Sequence, residues 1–471
     1  MLLSVIDVMT GPNRGAQADD PGLVIEPQAP TWPGLIRQFF TANRNPSSIQ
    51  TRHELGLPID RPIIMTGHQA TIWHPGILAK YYATDAAAKL TSSASVWLVV
   101  DQDSEDPWQV RYPARSVENT DHQALSVAAM KFSPRTSAPD TPAASLLTLA
   151  PLSSDEFPHA ASPSVRDGLA RIHAALTAHR NEPSAGRQLA AALADLLSPL
   201  KPATTLFATS SARTALFQRL VDSMRDDPER CVRAYNAAVA LYPEAKLRPL
   251  LIDDVNVRYE LPLWRLEFGH ERQRVFAEDL DQISREQLAP RALLMTGFMR
   301  AAACDLFVHG KGGGVYESVT DAWFRHWQPR LTLAPVAVVS ATLRLSLLNV
   351  PAPVADDLRQ ARWRAHHAPH DPAMLGDEEA GRAKLELVRR INEAKLSGGD
   401  SRSLYVTMHA GLERVRVERR ENLEQIVSSA DSIAARLLDA AIASDRTWPF
   451  PLYPSAMLDE LARAINAAYA V

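Results

Sequence analysis

Residues 61–106 read RPIIMTGHQATIWHPGILAKYYATDAAAKLTSSASVWLVVDQDSED, and the order of patterns in this stretch decides the fold class. A short apolar run after Arg61 is ended by Gly67. Helical spacing follows at Ile77, Tyr81, Ala88 and Leu90, and a second apolar run, Ser95 to Val100, stops at Asp101. Strand, helix, strand in this order predicts a parallel sheet with right-handed crossovers, hence an α/β fold.

Working outward, 133–165 is rich in Pro, Ser, Ala and Thr and reads as a linker. Helices are expected between Val165 and Leu241, with a strand at Leu206-Phe207-Ala208. Alternating β-branched and charged residues over 249–268 predict antiparallel strands inserted on the sheet. Strand-like runs return at Ala292 to Met295, Asp305 to His309 and Pro335 to Ser340. Beyond Pro353 the text is charged helix, broken at Ser397-Gly-Gly-Asp400. Met408, Leu412, Val415, Leu423, Ile426, Ala430, Ile433 and Leu437 then step by three and four as a heptad seam interrupted by Arg419. Two long antiparallel helices are expected there. The prolines of Trp448 to Pro454 forbid helix, and a last amphipathic helix covers Leu458 to Ala468. The division expected is an N-terminal segment, 1–55, and a discontinuous core, 56–345, with insertions near 133–200 and 240–285. A helical coiled-coil hairpin, 346–446, and a tail, 447–471, packing on the core complete it.

Composition removes whole classes of function. The 471 residues are 46% hydrophobic and 22% charged, an ordinary globular balance. Fifty Lys and Arg against 54 Asp and Glu leave a net charge of -4, so no global field draws the chain to nucleic acid or anionic lipid. Two cysteines, Cys231 and Cys304, without CxxC spacing argue against a disulfide scaffold or a zinc ribbon and fit a reducing cytoplasm. The start lacks the pattern of a signal peptide, and no apolar run is long enough to span a bilayer. Thirty-four prolines outnumber 20 glycines, so a glycine cluster stands out.

Three clusters lie at predicted strand ends, where open α/β sheets bind ligands. Thr66, Gly67, His68 and Gln69 with Trp73 and His74 precede a helix whose N-terminus favours anions, and the two imidazoles can stabilise a transferring oxyanion. The plainer alternative is that His68 caps a turn and His74 packs beside Trp73. Asp101, Asp103 and Glu105 can hold an ammonium group or Mg²⁺, or act as a base; solvated loop charge is the competing reading, and Pro107 turns the chain away after Asp106. His309-Gly310-Lys311-Gly312-Gly313-Gly314 can cradle phosphate with backbone N–H groups and one cation, although it is neither a Walker A loop nor GxGxxG; a flexible turn is the alternative. His366, His367 and His370 are interrupted by Pro369, lack a local acidic partner and read as a polar linker, so no metal site is expected.

Taken together, TGHQATIWHPGILAKYY, WLVVDQDSED and APRALLMTGFMRAAACDLFVHGKGGGVYESVTD resemble three blocks of the bacillithiol biosynthesis cysteine-adding enzyme family. The resemblance covers most of 56–110 and 285–345. His68 stands where the family has its first Gln, His74-Pro75 where it has a glycine pair, and Ser104 where it has a His. The resemblance implies a Rossmann-like core of the class I aminoacyl-tRNA-synthetase type, a coiled coil used for homodimerisation, and a ligase that joins L-cysteine to an aminosugar such as glucosaminyl malate.

In that scheme His68, His74 and Asp103 are catalytic, with Thr66, Gln69, Trp73, Asp101, Glu105 and His309 around the substrate. Gly310, Lys311, Gly312, Gly313 and Gly314 hold the phosphates of ATP with Mg²⁺, and no tightly bound cofactor is expected. The partners are small molecules, without nucleic acid or membrane. Two other classes remain open: a non-catalytic dimeric ligand-binding or scaffold protein that keeps the fold, and a nucleotidyltransferase acting on another small acid.

Overall fold

The computed structural model describes residues 22–106, 108–115, 124–131, 138, 140–148, 157, 159–256, 258–348 and 352–470. Parts of the segment read as a linker at 133–165 (133–137, 139, 149–156 and 158), the first part of the N-terminal segment and Pro107 lie outside them. The described residues form two compact units. The first comprises 22–112, 128–343 and 446–470, and the second 113–127 and 344–445.

The first unit is built on a mixed, mostly parallel six-stranded sheet. In chain order its strands are β1 (Leu23–Glu26), β2 (Ile63–Gln69), β3 (Ala94–Val100), β4 (Thr204–Phe207), β5 (Leu306–His309) and β6 (Val336–Ala341). Their spatial order is β1-β6-β5-β2-β3-β4. The five strands from β2 to β6 run parallel, and β1 closes one edge antiparallel to β6. The continuous apolar runs of β2 and β3 suit strands covered on both faces. Alternate side chains feed two separate cores: Ile63, Met65, Val96, Leu98 and Phe307 one, and Ile64, Leu306, Val308, Ala337 and Val339 the other.

Helix α1 (Pro75–Thr91) connects β2 to β3. It starts where Pro75 supplies a fixed φ at the first helical position and stops at Ser92, whose φ is 54°. Helix α2 (Gly313–Trp327) connects β5 to β6 and buries Val319, Trp323 and Phe324 against the opposite face from α1. Between β4 and β5 an antiparallel set joins Ile252–Asp253 and Arg258–Arg265, inside the stretch 249–268 whose alternation predicted strands, to Gln273–Phe276 and Leu288–Pro290 beyond it. Ala292 to Met295 is a correction: it is the start of a helix, Ala292–Phe298, continued by a wider π-type turn over Met299–Ala303. Leu293 to Phe298 are all buried, so the run carries no period that separates strand from helix.

The C-terminal tail lies in this unit. The Phe450 N–H bonds the Trp73 carbonyl at 2.6 Å, and the helix Ser455–Tyr469 packs on α1. Gly168, in the helix Pro163–Ala178, is needed where that helix meets the tail, because a Cβ there would sit 2.2 Å from the Pro451 carbonyl oxygen. Gly168→Ala is therefore expected to cost about 1–3 kcal/mol, the range for forced overpacking, read as a lower denaturant midpoint at unchanged m-value.

Apart from strand residues at 113–115 and 125–127, the second unit is helical. Ala355–His367 lies against Arg420–Ser444, and Glu378–Leu396 against Arg402–Glu418. Of the seam residues Leu412, Val415 and Ala430 are buried, while Met408, Leu423, Ile426, Ile433 and Leu437 are half-buried. Each limb is nevertheless two helices, not one: the chain leaves helical geometry at Arg419 (φ −109°, ψ 28°), the position at which the seam is interrupted. Among the described residues no helix is long and apolar enough to cross a membrane.

Candidate functional site

A cavity of about 690 Å³ opens at the C-terminal ends of β2 and β5. These neighbours mark the point where strand order reverses, since the chain passes from β2 outward to β4 on one side and returns through β5 to β6 on the other. Loops after such strands leave in opposite directions and open a crevice.

From the β2 side come His68, Gln69, His74 and Lys80. His74 has extended backbone and its Nδ1 accepts the Gly76 N–H at 3.1 Å, so the ring caps α1. Gly76 is required there, because a Cβ would lie 2.7 Å from the Ala341 carbonyl oxygen. His68 sits edge-on to Trp73 at 6.3 Å, and its buried Nδ1 has no hydrogen-bond partner. Burial, and next the Lys80 charge, hold this imidazole well below the usual histidine range. Lys80 is 2% exposed, and its Nζ donates to the Gly67 carbonyl at 2.7 Å. Burial pushes its ammonium down to about 7.

From the β5 side comes His309. Its Nδ1 accepts the Gly310 N–H at 3.2 Å, which leaves the ring proton on Nε2, 3.4 Å from Glu317 Oε1. Glu317 is buried on α2, and its other oxygen takes Arg300 Nη1 at 2.6 Å. Arg300 is itself fixed by Asp321 at 2.7 Å and by the Ala334 carbonyl at 2.8 Å. Burial, then Lys80 and Arg300, push His309 down to about 3, so it is a neutral donor throughout the physiological range. Gly313 begins α2, and a Cβ on it would fall 1.6 Å from His309 Nδ1. The glycine at 313 thus makes room for an imidazole at the helix start.

The third wall comes from the β3 end and the antiparallel insertion. Asp103 Oδ1 accepts Arg272 Nη1 at 3.0 Å and the Ser104 N–H at 2.8 Å. Arg272 and Arg291 each lie over the Trp264 ring, at 4.4 and 4.6 Å from its centroid. Gln102 Oε1 and Arg272 Nε are buried without hydrogen-bond partners, as is Glu317 Oε1. Among the described residues Lys80, Arg248, Arg272, Arg291, Lys311 and Arg446 line the cavity with two carboxylates, Asp103 and Glu317, and a third, the buried Glu260, pairs with Arg291 at 2.6 Å. A chain of net charge -4 thus concentrates positive charge at one place, which suits an anionic ligand.

Of the residues singled out in the sequence, His68, Gln69, His74, Asp103, His309, Gly310, Lys311, Gly312 and Gly313 line this one cavity. Thr66, Trp73, Asp101, Glu105 and Gly314 do not. Thr66 donates its hydroxyl to the Val308 carbonyl and ties β2 to β5. Trp73 stacks on Tyr81 at 4.1 Å. Asp101 is buried and accepts both the N–H and the hydroxyl of Thr209, at 3.0 and 2.6 Å, so it braces the end of β3. Glu105 is exposed, and Gly314 faces Val338. Lys80, Gln102, Trp264, Arg272, Arg291 and Glu317 were missed. The signal for Lys80 was a lone cation inside the apolar run Ile77 to Tyr82, where a helix packs on a sheet.

Among the described residues no three His, Cys, Asp or Glu side chains are grouped to hold a metal ion. His367 and His370 instead contact the Trp363 carbonyl and Arg416. No protein-family model and no curated protein matches this chain.

Proposed function

We propose that the chain is a ligase that forms an amide bond between L-cysteine, or a related amino acid, and an aminosugar such as glucosaminyl malate. The observation that carries this reading is the meeting of all three blocks of the family resemblance around one cationic cavity: His68 and His74 from the first, Asp103 from the second, His309 to Gly313 from the third. The strand order supports a Rossmann-like core, because the five parallel strands numbered along the chain lie as 3-2-1-4-5.

Amide formation from a free carboxylate needs a leaving group on the acyl carbon. ATP supplies it as an acyl phosphate or adenylate, with Mg²⁺ brought in by the nucleotide. The amino group then attacks the acyl carbon, loses a proton and expels phosphate or AMP. His68, whose imidazole is neutral, is suited to donate a hydrogen bond to the oxyanion formed on attack. Asp103 keeps one oxygen for the incoming ammonium while Arg272 and Ser104 hold the other. The turn from Gly310 to Gly313 receives phosphate. A homodimer through the helical unit and a cytoplasmic setting belong to the same proposal.

The test is direct. Incubation with ATP, cysteine and glucosaminyl malate is expected to give a product of the mass of the amide, with ADP or AMP in equal amount. His68→Ala is expected to lower kcat about 100-fold or more, as for loss of an oxyanion donor. No product from any amino acid and aminosugar pair, or full activity in both His68→Ala and Asp103→Ala, would remove the reading.

A further inference from the structure

Lys80 is a buried cation without a counter-charge. It lies on α1 beneath the cavity, 2% exposed, and its one hydrogen bond is to the Gly67 carbonyl. Its stem passes Gly310, where a Cβ would lie 3.8 Å from Lys80 Cδ, so its head group reaches the floor between the ends of β2 and β5. The charged and titratable groups around it offer no anion. His68 on β2 and His309 on β5 are neutral imidazoles, and Tyr81 on its own helix is held protonated by burial. His74 caps α1, Arg300 is a second cation, and Glu317 on α2 is committed to Arg300. A desolvated ammonium in this position is a standing cost, and burying it requires a partner.

We propose that Lys80 anchors an oxyanion site: a compact carboxylate or phosphate group of the ligand seats on its ammonium at the floor of the cavity beside Gly310. One further feature points to a ligand there: His68 Nδ1 lines the same cavity, is buried without a hydrogen-bond partner, and is a ring nitrogen able to donate to such a group. Lys311, the cation that the glycine cluster offers in sequence, is exposed at the turn, whereas Lys80 is the one withheld from water. The site does not depend on the amide chemistry above, since any ligand with such a group would use it.

The anchor carries a pH signature. Lys80 is charged below about 7 and neutral above it, while His68 and His309 stay neutral from pH 6.5 upward. An anion that binds the charged form raises the proton affinity of the amine, so binding above pH 7 takes up close to one proton.

The experiment is calorimetric titration of the full chain with sulfate and with oxalate at constant ionic strength. Neither probe titrates between pH 6.5 and 8.5, and buffers of different ionisation enthalpy report the proton count. Affinity for at least one probe is expected to fall about twentyfold from pH 6.5 to 8.5 with proton uptake at pH 8. Lys80→Met is expected to lose both the affinity and its pH dependence. A preference for sulfate assigns the site to a phosphate group and a preference for oxalate to a carboxylate. Affinity flat in pH, no binding of either probe, or unchanged binding by Lys80→Met would overturn the proposal. The proton count on the unaltered protein decides even if the variant fails to fold.

Discussion

Replacing Arg300 by Met is expected to cost about 3–5 kcal/mol at neutral pH, the range for leaving one member of a buried ion pair without its partner. Arg300 and Glu317 are each 3% exposed and meet at 2.6 Å, so the substitution strands a carboxylate under the cavity. It also removes the donor to the Ala334 carbonyl, in the segment leading to β6. Burial already raises Glu317, and Arg300 is the main influence lowering it. With the arginine gone, the folded protein binds a proton there more tightly than the unfolded chain does. Relative to the unaltered protein, the deficit is therefore largest at neutral pH and shrinks as pH falls through the raised Glu317 value. Urea unfolding at pH 5 and 7.5 reads both numbers. The double substitution Arg300→Met, Glu317→Leu is expected to recover part of the loss, because no charge is then stranded, and to fall short by the unpaired Ala334 carbonyl. A deficit that does not change with pH would mean that Glu317 is not the source of the cost.

The same pair separates what the sequence discloses from what it hides. β2 and β3 were readable because an apolar run ended by a polar cluster is how a buried parallel strand reaches its functional end, and His68, Asp103 and His309 stand at such ends. Lys80 and Arg300 were not readable in that way. Each is one basic residue in an apolar run, and a long side chain there usually carries its charge out to water. Only the fold shows that neither does. Trp264, Arg272 and Arg291 come from strands paired within the insertion, and nothing local says which end of the sheet that insertion covers. Asp101 failed in the other direction: its place at a strand end is right for a site, but Thr209, far along the chain, satisfies both oxygens. Ala292 to Met295 failed because uniform burial erases period, and Arg419 marked a helix break that spacing alone recorded as an interruption of the seam.

Lys80→Met is expected to do the opposite of Arg300→Met and stabilise the protein. Burial lowers the ammonium from 10.5 to about 7, and each unit is worth about 1.4 kcal/mol of difference between folded and unfolded states. On that scale the charged lysine destabilises the fold by on the order of 4–5 kcal/mol below pH 7. Removing its hydrogen bond to the Gly67 carbonyl returns about 1 kcal/mol of that, so a net gain of about 3–4 kcal/mol is expected at pH 6.5. The sign with pH is fixed by linkage. Between about 7 and 10.5 the unfolded chain holds the proton and the folded one does not, so the unaltered protein gains stability as pH rises and the advantage of methionine fades towards pH 10. Denaturant midpoints of both proteins at pH 6.5 and 10 give the comparison. Should Lys80→Met be the less stable at pH 6.5, the lysine would be a strut holding β2 to α1, and its burial would call for no ligand. A gain that disappears at high pH, in a variant that no longer binds the anion, would mean that the protein keeps a destabilising cation in its core for the sake of the cavity above it.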